Sequence, residues 1–307
     1  MNVTPLMVSN TLLQNVQNQE QSITRLQVEE STGQRFQSPS DHPMAAENTL
    51  NFNNMLSEIT AFQSSAKNAQ GWLNQTNGVM GNIINLWDKV LQTATQAANS
   101  TNNATDLKVL AQSAASMQAN LGQMLNSQYE GSYIFSGFNA STPPVALTTS
   151  GGYPSSVTWS TSTQGESQNF LVNTGVSIPV NLTGWENVGQ ASGTNYLGQA
   201  YNDLGALATA ITQGPSAVTK LLPSLQSDLN NLTGAQALLG GNMQRVQNTL
   251  SQLSNIASDL HQNLANVAGA NMAQVTTQLA QEQTAYQATL QSGSQILSLS
   301  LLNFIKP

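Results

Sequence analysis

The segment MAQVTTQLAQEQTAYQATLQSGSQILSLSLLNFI, residues 272–305, decides the fold. Its apolar positions recur at alternating intervals of four and seven residues: Val275, Leu279, Tyr286, Leu290, Leu297 and Leu301. This eleven-residue period, about 3.67 residues per turn, predicts a nearly straight helix with one narrow apolar stripe. A helix that faces solvent normally carries charges on its polar face, yet Glu282 is the only charge between Asn266 and Ile305. The segment is therefore predicted to be a helix buried against other helices.

The N-terminal 30 residues repeat this pattern over a shorter span, with the stripe Leu6, Leu13, Val16, Ile23 and Leu26. We expect the two stripes to face each other and, with Phe304, to supply the contacts between subunits. Each buried aliphatic side chain contributes roughly 1.5–3 kcal/mol, whereas ordering the backbone costs roughly 1–2 kcal/mol per residue. We therefore predict that both ends are mobile in the monomer and become ordered on assembly. The alternative is that they pack on the rest of the chain as ordinary bundle helices.

Composition limits the possible functions. The 307 residues carry only 7% charged side chains and a net charge of −7. Eight scattered Lys and Arg residues argue against a nucleic-acid partner, because phosphate binding needs clustered positive charge. Cysteine is absent, and no run of 18 or more apolar residues predicts membrane insertion. The opening residues lack a basic cluster and a continuous apolar core, so we expect no cleaved signal peptide.

The pattern along the chain is helical at both ends and β-like in the middle. Gly33, Pro39 and Pro43 break the first helix, and a helix is expected to restart near Pro43 with Ser40 or Asp41 as its N-cap. Helical periodicity then extends to Leu125, with a turn around residues 99–105. Short strands are expected at residues 157–160, 169–172 and 176–182. A helix is expected from Leu197 to Ile211, a break at Gly214-Pro215, and a further helix from Ala217 towards Leu264.

Few residues are available for catalysis or metal binding. The chain has two histidines, and the triplet Ser40-Asp41-His42 has triad residue types, but sequence neighbours cannot form a triad. Asp203, Asp228 and Asp259 lie too far apart to predict a calcium loop. The aromatic residues Tyr133, Phe135 and Phe138 are interpreted as a core anchor, with a binding surface as the alternative. We predict no enzyme activity, no cofactor and no metal site.

The predicted fold class is mainly α with a β insertion. The N- and C-terminal segments are expected to form an elongated antiparallel helical bundle or coiled coil that carries a small central β domain. The predicted boundaries are a terminal helix at 1–35, the helical rod at 36–135 and 189–267, the β domain at 136–188, and a second terminal helix at 268–307.

Three segments in order resemble the flagellin superfamily, and within it the branch that joins hook to filament. The first is STGQRFQSPSDHPMAA, residues 31–46, in which His42 stands where the family commonly has a second Asp. The second is GSYIFSGF, residues 131–138, followed by Thr142-Pro143-Pro144. The third is residues 272–305, which end LSLSLLNFI and resemble the terminal helix of the family.

The resemblance implies a structural role that adapts the hook to the filament and supports motility. It implies other copies of the chain in a ring, neighbouring hook-associated and flagellin subunits, and a cytoplasmic export chaperone at the C-terminal region as partners. It also implies uncleaved type III export and a location in the flagellum outside the cell. Two alternatives stay open, namely a filament-forming flagellin and a secreted helical tip or adhesin protein.

Overall fold

The computed structural model describes residues 5–137, 141–150, 153–159, 167–184, 186, 188 and 195–305. Six helices and six short strands follow in the order α1, α2, α3, β1 to β6, α4, α5 and α6 within these ranges. The predicted class, mainly α with a β insertion, is confirmed. None of the helices in the described ranges is long and apolar enough to cross a membrane.

The helices are α1 Pro5–Thr32, α2 Pro43–Ala97, α3 Ala104–Leu125, α4 Tyr196–Gln213, α5 Pro215–Ala268 and α6 Met272–Ile305. The strands are β1 Gln128–Tyr129, β2 Ser132–Tyr133, β3 Val145–Ser150, β4 Tyr153–Trp159, β5 Asn169–Asn173 and β6 Val176–Pro179. They pair as three two-stranded antiparallel sheets, β1 with β2, β3 with β4, and β5 with β6. The breaks predicted at Gly33, Pro43 and Gly214 are confirmed, and β1, β2 and β3 were not predicted.

The chain divides into two compact units. We call residues 1–58 and 256–307 the terminal unit, and residues 59–255 the central unit. The domain boundaries proposed from the sequence stay a prediction.

The central unit has an extensive core. The indole Nε1 of Trp87 in α2 donates to the carbonyl oxygen of Leu225 in α5 at 2.9 Å. The side-chain Nε2 of Gln70 in α2 donates to Oε1 of Gln247 in α5 at 3.0 Å. Because rising numbers on α2 pair with falling numbers on α5, the two helices run antiparallel here. Phe135 is completely buried, which confirms its interpretation as a core anchor, while Phe138 lies outside the described residues.

Helix ends in the central unit follow local rules. Asn103 caps α3 by accepting from the backbone N of Asp106 at 2.9 Å, and the Asp106 carboxylate accepts from the backbone N of Asn103 at 3.2 Å. This reciprocal capping box satisfies two backbone donors that the first turn of a helix leaves free. At the end of the β region, the Glu186 carboxylate accepts hydrogen bonds from Thr183, Gly184 and the hydroxyl of Tyr196.

Candidate subunit-packing surface

The centre of the terminal unit is the pair formed by α1 and α6. Leu26 packs with Val275 and Leu279 in a small buried cluster, with Ile23 and Ala270 at its edge. At the other end of α1, Leu12 lies against Gly293. The two contacts show that the helices are antiparallel, so the expectation that the two stripes face each other is confirmed.

The buried positions of this pair follow a different period from the predicted one. On α6 the buried or half-buried positions are Val275, Leu279, Glu282, Tyr286, Thr289 and Gly293, at alternating intervals of four and three residues. On α1 a matching set consists of the buried Leu26 and the half-buried Ser9, Leu12, Val16, Gln19 and Ile23, while Ser22, Val28 and Glu29 are half-buried outside this set. An average of about 3.5 residues is the heptad period of a left-handed coiled coil, so the eleven-residue interpretation is wrong for the contact within one chain. Gly293, Thr289 and Glu282 belong to the contact although none is a large apolar residue.

Gly293 lies directly against the Leu12 side chain of α1. A Cβ atom placed on Gly293 would overlap the Leu12 side chain. Gly240 and Gly241 in α5, by contrast, have open space at the same point. A side chain at position 293 would therefore force Leu12 to move.

Backbone pairing connects the turn between α1 and α2 to the turn between α5 and α6. Gly33 ends α1 with a positive φ of 65°, a conformation that costs other residues energy. The backbone amide of Arg35 donates to the carbonyl oxygen of Ala268 at 2.8 Å. The backbone amide of Ala270 donates to the carbonyl oxygen of Gly33 at 2.9 Å. These two hydrogen bonds fix the point where α6 starts beside α1. The Asn271 side chain caps α6, because its Oδ1 accepts a hydrogen bond from the backbone amide of Gln274.

The segment before α2 is a compact polar turn. The Asp41 carboxylate accepts from the amide of Ser38 at 3.1 Å, and the His42 ring meets Phe36 edge to face with centroids 6.1 Å apart. Because α2 begins at Pro43 and the carbonyl of His42 accepts from Ala46, the N-cap position belongs to His42. The prediction of Ser40 or Asp41 as N-cap is therefore wrong, because Asp41 is used within the turn instead.

Charge is concentrated around this turn. The segment from residue 20 to residue 47 holds Glu20, Arg25, Glu29, Glu30, Arg35, Asp41 and Glu47. Several of them line an open cleft of about 840 Å³ between α1 and the turn. Arg25 and Glu29 approach to 4.0 Å, with the Arg25 side chain 69% exposed, and such a pair contributes little to stability.

Exposed apolar side chains are the main feature of the terminal unit. Eleven large hydrophobic side chains are exposed in the described part of the chain, and seven belong to this smaller unit. They are Met7, Leu13, Met44, Leu50, Met55, Met272 and Leu290. Leu13 and Leu290 are 59% and 47% exposed and lie outside the contact between α1 and α6.

The predicted packing residues fall into three groups. Leu26, Val275 and Leu279 are buried within the chain, and Val16, Ile23 and Tyr286 are half-buried along the same contact. Leu13 and Leu290 are exposed. The side chains of Leu6, Leu297, Leu301 and Phe304 lie outside the described ones. The apolar sequence pattern did not identify Met44, Leu50 and Met55 of α2 as exposed side chains.

A helical unit that pairs α1 with α6 and leaves apolar side chains exposed is typical of structural proteins that bind other protein surfaces. Comparison with known proteins makes this class specific. Residues 3–140 match the family described as the bacterial flagellin N-terminal helical region. The chain is 24% identical over 292 residues, 90% of each chain, to flagellar hook-associated protein 3 of Escherichia coli (strain K12).

Solved structures show the same fold. A protein described as a flagellar hook-associated protein from Vibrio parahaemolyticus has a TM-score of 0.62 at 21% identity, covering 75% of this chain and all of that one. Flagellar hook associated protein-3 from Legionella pneumophila has a TM-score of 0.56 at 16% identity, covering 70% of this chain and 98% of that one. The chain is therefore similar along most of its length to a flagellar hook-associated protein, and residues 3–140 match the flagellin helical region, in agreement with the resemblance carried by its three motifs.

Proposed function

We propose that this chain joins the hook of a bacterial flagellum to its filament, as a structural adaptor without catalytic activity that assembles through the terminal unit. The observation that carries the proposal is the set of exposed apolar side chains on α1, α2 and α6. Soluble monomers seldom expose such side chains in groups, and groups of them are typical of protein interfaces. The hook-associated names of the relatives support the position at the hook.

The proposed partners are other copies of this chain in a ring, hook-associated subunits on the hook side and flagellin subunits on the filament side. The chain is proposed to leave the cell through the flagellar type III apparatus without cleavage. A cytoplasmic chaperone is proposed to cover the C-terminal helix before export, because that helix presents the exposed Met272 and Leu290.

The test uses labelled full-length protein added to isolated hooks that carry their own hook-associated subunits, followed by flagellin. We expect the protein to add in a limited number of copies at hook ends, and filaments to grow only after it has bound. The double variant L13Q/L290Q is expected to lose hook binding by tenfold or more, since each buried leucine contributes about 1.5–3 kcal/mol. Electron microscopy and quantitative labelling measure both effects.

The matched control is Val109→Gln, because Val109 is 64% exposed but belongs to the central unit. This variant is expected to bind hooks normally. Elongation of the chain into long filaments on its own seeds would favour a flagellin instead. Full motility of cells that lack the protein, with loss of surface adhesion, would favour the adhesin alternative.

A further inference from the structure

Helix α5 carries an aspartate at a position that is otherwise apolar. Its buried residues recur every seven positions along the central unit, as Val218, Leu225, Leu232, Leu239 and Val246. Asp228 lies three residues after Leu225 and four before Leu232, which places it on the same helix face. Only 1% of Asp228 is exposed, and neither carboxylate oxygen has a hydrogen-bond partner. An ionised carboxylate is strongly disfavoured in such surroundings.

The group that interacts with Asp228 is a second carboxylate, Asp203 on α4. The Oδ2 atom of Asp203 is also buried without a partner. Two ionised carboxylates repel each other and have no proton to donate, whereas a single proton on either one creates a hydrogen-bond donor for the other. Burial, and then the Asp203 carboxylate, raises the pKa of Asp228 to about 8, and burial raises the pKa of Asp203 as well.

No cation in the described part of the chain accounts for the charge of the pair. Within the central unit the other charged residues of α2, α3 and α5 are all exposed, namely Lys67, Asp88, Lys89, Asp106, Lys108, Lys220 and Arg245. Among the described residues, Asp203 is the charged side chain that acts on Asp228. Tyr201 of α4 is a further buried group, and its hydroxyl has no hydrogen-bond partner. The described residues include no group of three or more His, Cys, Asp or Glu side chains that could hold a metal ion.

We propose that Asp203 and Asp228 share one proton in the folded protein, and that this proton couples the stability of the central unit to pH. The folded state binds the proton more tightly than the unfolded state, in which an aspartate has its ordinary pKa near 3.8. The stabilisation is therefore complete below about pH 4, declines as pH rises, and is lost above about pH 8. Over that interval the ratio of folded to unfolded protein falls by up to about tenfold per pH unit.

The experiment is urea unfolding of the full-length protein between pH 5 and pH 9, followed by tryptophan fluorescence. All four tryptophans lie between residues 59 and 255, so the signal reports on the central unit. Asp228→Asn replaces the shared proton with an amide that can donate to Asp203 at any pH. We expect the folding constant of this variant, divided by that of the wild type, to rise by up to about tenfold per pH unit and to level off near pH 8.

For Asp203→Asn, the folding constant relative to the wild type is expected to rise with pH in the same way. Asp88→Asn is the control, because it changes an exposed carboxylate of α2, and it is expected to keep the wild-type pH dependence. A ratio that stays constant with pH for both buried variants would overturn the proposal. So would stabilisation of the wild type by millimolar calcium that EDTA reverses and that Asp228→Asn abolishes, because the pair would then bind a cation. Neither outcome depends on binding to the hook, so the inference is tested separately from the proposed function.

Discussion

The two units of the chain bury their helices to different extents. In the central unit Trp87, Tyr196 and Tyr201 are almost completely buried in a continuous apolar core. In the terminal unit the buried cluster between α1 and α6 consists of Leu26, Val275 and Leu279. Because burial of apolar surface is the main stabilising term, we expect the central unit to fold by itself and the terminal unit to depend on further contacts. The exposed apolar side chains of α1 and α6 are of the kind found at protein interfaces.

The largest expected effect is in the central unit. Trp87→Ala should lower the free energy of unfolding by about 3–5 kcal/mol, because it leaves a cavity and removes the bond to the Leu225 carbonyl. Urea unfolding followed by the three remaining tryptophans measures this loss. A loss below about 1 kcal/mol would mean that the core is less tightly packed than its burial indicates.

An intermediate effect is expected at the close approach in the terminal unit. Gly293→Val should separate α1 from α6, because the new side chain would overlap Leu12, and overpacking typically costs about 1–3 kcal/mol. Faster amide exchange in both helices, with an unchanged unfolding midpoint by tryptophan fluorescence, would confirm it. Gly240→Val is the control, since the space beside Gly240 is open.

The smallest expected effect is at a helix cap. Asn103→Ala should destabilise the central unit by about 1 kcal/mol, because the amide of Asp106 loses its acceptor. Asn120→Ala changes an exposed position inside the same helix and should be neutral or slightly stabilising. Equal unfolding midpoints for the two variants would show that the cap contributes nothing measurable.

The sequence predicted features that depend on near neighbours. The breaks at Gly33, Pro43 and Gly214 follow from the backbone preferences of glycine and proline, so the helix bounds were largely predictable. The contact surface predicted for α6 consisted of large apolar residues alone. The contact also uses Gly293 and Thr289, which permit close approach but carry no hydrophobic signal.

Features that depend on how distant segments meet were not predictable. Asp203 and Asp228 stood out in the sequence only as residues too far apart for a calcium loop, and their proximity depends on how α4 and α5 pack. The contacts of Glu186 with Thr183 and Tyr196 likewise join the end of the β region to the start of α4. No periodic pattern encodes such contacts.

The most direct test of the difference between the two units is amide hydrogen exchange on the purified monomer. We predict fast exchange in residues 9–30 and 272–295 and slow exchange in the core of the central unit, since few buried contacts mean a low free energy of local opening. Slowing of exchange in these helices on binding to hooks would then follow. Equal protection of the terminal helices and the core in the monomer would contradict the account, because the exposed stripe would not need other subunits to become ordered.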